Sequence, residues 1–190
     1  MAQYAKVLLV TAAFMAATAA PAAISILGSG QGRACFEAAA ANRPLKPSVA
    51  TCTAALENEA QSARDHAATL VNRGILYMQA QNIVTALMDY DAALEIMPGL
   101  AEAYVNKGIA LVHLGGRDAE AVAQLTAGLD RKPAHPEVAY YTRAIAYEMT
   151  GATREAYEDY KQAAELAPGW AEPAAQLLRF QIIRKPTAAA

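Results

Sequence analysis

"MPGLAEAYVNKG" (residues 97–108) is answered seventy residues later by "APGWAEPAAQLL" (residues 167–178). The shared Pro-Gly-x-Ala-Glu is one mark of a longer period. Pro98, Pro133 and Pro168 recur every 35 residues, and Ala86, Ala121 and Ala156 keep the same interval. Gly74, Gly108 and Ala144 are spaced by 34 and then 36, as are Tyr77, Leu111 and Tyr147. A period of this size is the signature of a stacked supersecondary unit. Within one unit, Ile83, Leu87, Tyr90, Leu94 and Met97 step by 4, 3, 4 and 3, which makes one apolar face of a helix. Small residues such as Gly74 and Ala86 predict close approach of two facing helices, with Tyr77 and Tyr90 filling the space beside them. Each proline ends a second helix and resets the chain direction. One hairpin cannot bury its own face, so neighbouring hairpins must stack.

The pattern resembles the tetratricopeptide repeat (TPR) family over residues 67–169. The first copy supplies Leu70, Gly74, Tyr77, Ala86, Tyr90, Ala93 and Pro98. The second supplies Tyr104, Gly108, Leu111, Ala121, Leu125, Gly128 and Pro133. The third supplies Tyr140, Ala144, Tyr147, Ala156, Tyr160, Ala163 and Pro168. Gly115-Gly116 lengthens the second hairpin turn, and "PAHPE" lengthens the joint before the third repeat. The resemblance implies an all-α, right-handed superhelical solenoid with repeats at 67–100, 101–136 and 137–170. A capping helix is expected at 171–185, with Leu177, Leu178, Ile182 and Ile183 facing inward and Gln176, Arg179, Gln181 and Arg184 outward. A tail of residues 186–190 follows.

The first 22 residues have the layout of an export signal. Lys6 precedes the apolar "VLLVTAAFMAATAA", and small residues follow in the Ala-x-Ala pattern. Cuts after Ala19 and after Ala22 both fit. An uncleaved membrane anchor is the alternative, although threonines and Pro21 interrupt the run that a spanning helix needs. Residues 23–32, ending in "GSGQG", read as a flexible linker. That stretch lacks the Lys-Ser/Thr of a phosphate loop. Residues 33–62 read as an N-terminal helical hairpin broken at Pro44 and Pro47, a possible diverged repeat. It holds the only two cysteines, Cys35 and Cys52. In an exported chain such a pair is expected to form a disulfide, with two buried thiols as the alternative.

Composition narrows the function. The chain has 190 residues, is 55% hydrophobic and much of that is alanine, as helices favour. Sixteen basic and 18 acidic residues give a formal charge of −2, so the basic excess of a nucleic-acid binder is missing. His66, His113 and His135 are scattered without metal-ligand spacing, and no nucleophile motif occurs. Asp89, Asp91 and Glu95 form an acidic cluster expected to face water. No catalytic residue, metal or cofactor is expected.

In the resembled family the first helix of each repeat lines a concave groove. Carried over by position, that groove holds Ala68, Val71, Asn72, Ile75 and Met78, then Glu102, Val105, Asn106, Ile109, Val112 and His113. Val138, Tyr141, Thr142, Ile145, Glu148 and Met149 complete it. Some relatives grip acidic C-terminal tails there with lysine and asparagine. Here Val71, Val105 and Thr142 stand at the basic positions and only Asn106 matches. The expectation is therefore an apolar or amphipathic segment, its backbone held by Asn72 and Asn106. Tyr141 is the one tyrosine of the Tyr140-Tyr141 pair expected to be free of the repeat core. The chain reads as a non-enzymatic protein- or peptide-binding scaffold, exported and periplasmic. A self-associating structural protein and a membrane-tethered adaptor are the alternatives. The partner's identity and the oligomeric state stay open.

Overall fold

The computed structural model describes residues 23–26, 30–41 and 45–180. The candidate export signal, the 186–190 tail, Ile182, Ile183, Gln181 and Arg184 lie outside these residues. Among the described residues there are nine helices and no strand: α1 (Gln31–Ala40), α2 (Leu45–Asn58), α3 (Ala63–Gln79), α4 (Ile83–Ile96), α5 (Ala101–Leu114), α6 (Asp118–Asp130), α7 (Pro136–Met149), α8 (Thr153–Leu166) and α9 (Ala171–Leu177). Each helix packs on the next, and first helices also pack on one another, α1 on α3, α3 on α5 and α5 on α7. The fold is an all-α solenoid of TPR-type hairpins.

The repeated Pro-Gly joints explain themselves in hydrogen bonds. Leu100 N–H donates to the Met97 carbonyl at 3.1 Å, and Trp170 N–H to the Ala167 carbonyl at 2.9 Å. Met97 and Ala167 share an extended backbone, with φ of −132° and −130°. One turn is thus used twice, to launch α5 and α9. The turn within a hairpin repeats as well. Asn82 N–H reaches the Tyr77 carbonyl and Ala152 N–H the Tyr147 carbonyl, both at 2.8 Å. The residue at the tip is left-handed in both, Gln81 at φ 59° and Gly151 at φ 79°.

The small residues of the first helices admit side chains rather than backbone. A Cβ on Gly74 would lie 2.4 Å from Tyr90 Cε1, and one on Gly108 would lie 2.4 Å from Leu125 Cγ. The expected backbone-to-backbone approach is therefore replaced by a knob from the second helix seated over the glycine. Ala86, Ala121 and Ala156, one turn earlier on the second helices, have no exposed surface.

The N-terminal hairpin carries the same register. The buried residues of α2 are Ser48, Cys52 and Ala55, spaced like Ala86, Tyr90 and Ala93 on α4. Cys52 therefore stands where Tyr90, Leu125 and Tyr160 stand, and Cys35 where Gly74, Gly108 and Ala144 stand. The Cys35–Cys52 disulfide links them, with a Cα–Cα distance of 4.8 Å. A covalent bond thus occupies the place of the knob contact in a hairpin whose first helix has only ten residues.

Two expectations at the ends are corrected. The stretch read as a flexible linker is ordered where it is described. Ile24 and Ile26 are buried, and Gln31 and Gly32 already belong to α1. The Gln31 and Gly32 N–H groups donate to the Glu59 carboxylate, which supplies acceptors and negative charge to that helix start. At the other end α9 stops at Leu177, and Leu178, expected to face inward, is 88% exposed. Phe180 takes the inner place, edge-on to Tyr157 and Tyr160.

Candidate functional site

The groove is built on α3, α5 and α7, whose equivalent residues form columns along the solenoid. Ser62 caps the start of α3: its Oγ accepts from Asp65 N–H at 3.1 Å and donates to the Asp65 carboxylate at 2.8 Å. Two part-buried guanidinium clamps hold first helices to second ones. Arg73 donates to both oxygens of Asp89 at 2.9 and 2.7 Å, and to Thr53 Oγ on α2. Arg143 repeats this with Asp159 at 2.7 and 2.9 Å, and with Thr126 Oγ on α6. Asp89, expected to face water, is therefore buried and paired. The bond to Asp89 holds the Arg73 guanidinium even more firmly protonated than usual. For Arg143, burial acts the other way, and the Asp159 bond and charge outweigh it. In the middle repeat the cation is Lys107, which pairs with Asp91 on the preceding helix. Each clamp spans a joint between neighbouring hairpins and fixes the relative angle of the helices that carry the groove.

Along the first column, Val71 and Val105 are fully packed and Tyr141 is 7% exposed. Tyr141 is not a free stacking platform. Its ring lies 5.5 Å from that of Tyr160 and 4.7 Å from that of Trp170, and burial raises its phenol above the ordinary value. Tyr140 is half-buried under the Arg143 guanidinium. Ile75 is buried, while Ile109 and Ile145 in the same column are half-buried. Ala68 and Val138 are buried, and Met78, Glu102, Val112 and Glu148 are half-buried. His113 and Met149 are exposed at the C-terminal ends of α5 and α7.

The polar column separates the three repeats. Asn106 Nδ2 donates to the Glu102 carbonyl, and Thr142 Oγ to the Val138 carbonyl, both 2.9 Å away and four residues back on the same helix. Asn72 reaches across 48 residues. Its Oδ1 accepts from Ile24 N–H at 2.8 Å, and its Nδ2 donates to the Ile24 carbonyl at 2.9 Å. Asn72 has no exposed surface. Ile24 and Ile26 share one core with Val71, Ile75, Ala103 and Ala110, while Ser25 between them is exposed. The sequence signal for this contact is the Ile-Ser-Ile alternation, too short to separate from the end of an export signal. The two arginine clamps went unread because an isolated Arg and Asp, 16 residues apart, carry no local pattern.

The site offers apolar burial and a side-chain amide able to satisfy both polar groups of one residue of main chain. Among the described residues, no three His, Cys, Asp or Glu side chains gather as metal ligands, and no helix is long and apolar enough to cross a membrane.

No family model matches the sequence, and no curated protein resembles it significantly. Solved structures do resemble it in shape. A structure described as "Crystal structure of MamA" has a TM-score of 0.64 at 18% identity, covering 80% of this chain and 84% of that one. "MamA RS-1 ArsTM double mutant" has a TM-score of 0.63 at 17% identity, covering 78% and 82%. "MamA AMB-1 P212121" has a TM-score of 0.56 at 22% identity, covering 73% and 77%. At such identities the likeness is one of fold alone: this chain shares with these structures an all-α helical solenoid.

Proposed function

We infer that the chain is a non-enzymatic scaffold of the cell envelope that binds an apolar or amphipathic protein segment in its concave groove. The observation that carries this reading is the Asn72 amide holding the N–H and C=O of Ile24. A carboxamide that holds both main-chain groups of one residue, beside buried aliphatic side chains, suits an extended apolar segment. The absence of a basic excess argues for burial and hydrogen bonding over charge as the source of affinity. Export places the module outside the cytoplasm, where a disulfide persists.

Site-specific photocrosslinking in living cells tests the reading. A photoreactive residue at His113 or Met149, on the first helices, is expected to yield a discrete adduct with a partner. The same residue at Val84, exposed on a second helix, is expected to yield none. Adducts from Val84 alone would move the binding surface to the second helices and end the groove reading.

A further inference from the structure

We propose that the groove beside Asn72 is a receptor subsite for an extended peptide with aliphatic residues at alternate positions, and that Ala23–Ile26 of this chain is its resident, displaceable occupant. The proposal rests on the groove reading above and names the chemistry of its ligand. Three observations carry it.

The first is the hydrogen bonding. A residue in an antiparallel strand exchanges both an N–H and a C=O bond with its opposite residue. Asn72 does the same for Ile24 from a side chain, because a carboxamide presents one acceptor and two donors in the geometry of a peptide group. Such an arrangement reads main chain, not side-chain identity, so any extended segment of suitable shape satisfies it.

The second is the burial pattern. Ile24 is 8% exposed and Ile26 is 4% exposed, while Ser25 between them faces solvent. Alternation with a period of two is the mark of an extended chain laid on one surface. It also states the ligand rule: aliphatic, any, aliphatic.

The third is the contrast within the column. The equivalent side chains Asn106 and Thr142 each make a bond back to a carbonyl of their own helix. Among the described residues, Asn72 makes no such bond to its own helix; its Oδ1 and Nδ2 both bond to the segment. Were the segment to leave, the Asn72 amide would be uncovered and would exchange both bonds for bonds to water. An incoming segment of the same chemistry replaces those bonds one for one.

Occupancy in cis makes the segment a competitor. Gly30 opens α1 only four positions after Ile26, so the segment stays close to its site, and a short tether corresponds to an effective concentration on the order of millimolar. A partner must outcompete that, and binding is weakened by the fraction of molecules that are self-occupied.

The test uses the full chain and a fluorescent peptide of sequence acetyl-Ala-Ile-Ser-Ile, with a control in which both isoleucines are aspartate. In the Ile24→Asp/Ile26→Asp variant, fluorescence anisotropy is expected to show the probe binding at least about tenfold tighter than in the unaltered chain. Adding Asn72→Ala should remove that gain, and the aspartate control should bind neither form. Equal affinity of the opened and unaltered chains, with circular dichroism showing both folded, would overturn the proposal. Should the opened variant fail to fold, a nitroxide on Ser25→Cys in the otherwise unaltered chain decides the matter. Excess probe is expected to mobilise the label, and an unchanged spectrum at saturating probe would overturn the proposal. Groove adducts at His113 in cells, combined with no displacement, would leave the binding function standing and defeat self-occupancy alone.

Discussion

Substituting Gly108 by leucine puts the repeat register to a quantitative test. The new Cβ would arrive 2.4 Å from Leu125 Cγ and 2.8 Å from Cδ2, far inside contact distance. Leu125 has no exposed surface, so its side chain cannot swing into solvent. Replacing glycine within a helix recovers roughly 0.5–1 kcal/mol of backbone entropy. Overpacking a tight core costs about 1–3 kcal/mol, and leucine adds three carbons beyond the clashing one, which places the cost at the upper end. The balance is a net loss of roughly 2 kcal/mol. For a domain of this size that lowers the melting temperature by about 4–8 °C. Leu125→Ala alone should cost about 2–5 kcal/mol by leaving a cavity. In the double variant the leucine at 108 fills that cavity, so the two losses should fall short of additivity by more than about 1 kcal/mol. Urea unfolding followed by far-ultraviolet circular dichroism measures all four corners of the cycle. Strict additivity, or a Gly108→Leu chain as stable as its parent, would show that positions 108 and 125 do not meet.

Cys52→Ala should cost the N-terminal hairpin about 3 kcal/mol for the lost 17-residue closure, while hydrogen exchange in α5–α8 stays unchanged because solenoid contacts reach only nearest neighbours. Thiol titration of the unreduced, denatured chain should find no free thiol. Gln81→Gly should raise stability by about 1 kcal/mol, because Gln81 holds φ 59° where the equivalent turn uses Gly151. A lowered melting temperature for that variant would show that the glutamine side chain holds the turn. Asp159→Ala should cost up to about 3 kcal/mol by stranding the Arg143 guanidinium, and the paired replacement Arg143→Met/Asp159→Leu should recover most of it. Alkaline titration has a definite sign. Burial raises the Tyr90 and Tyr160 phenols well above their ordinary value of 10.0. The folded state therefore keeps protons that the unfolded state loses, so stability is level below pH 10 and falls as pH rises above it. A melting temperature that holds steady well above pH 10 would contradict that burial.

Much of the architecture was legible because a repeat states its inner positions several times over. Ala86, Ala121 and Ala156 were readable as core, and each is fully buried. The pairing of Cys35 with Cys52 was readable from the hairpin and from the expectation of export. Only the structure showed that the bond stands in the place of a repeat's knob contact. Asp89 was misread because its position on the helix does not reveal the arginine that crosses from α3 to meet it. Leu178 was misread because periodicity extends a helix past Leu177, whereas the chain turns and seats Phe180 on Tyr160.

The groove divides along the same line. That Val71, Asn72 and Ile75 share a face of α3 follows from the 3.6-residue period alone, since side chains at those spacings must project together. What covers that face is not a local property. Ile24 lies 48 residues away from Asn72 in sequence and touches it only because α1 and α2 fold back and bring the chain start to the groove. Periodicity specifies which way each helix faces. Only tertiary structure decides which distant segment satisfies the face, because that choice depends on where every intervening helix has placed the chain.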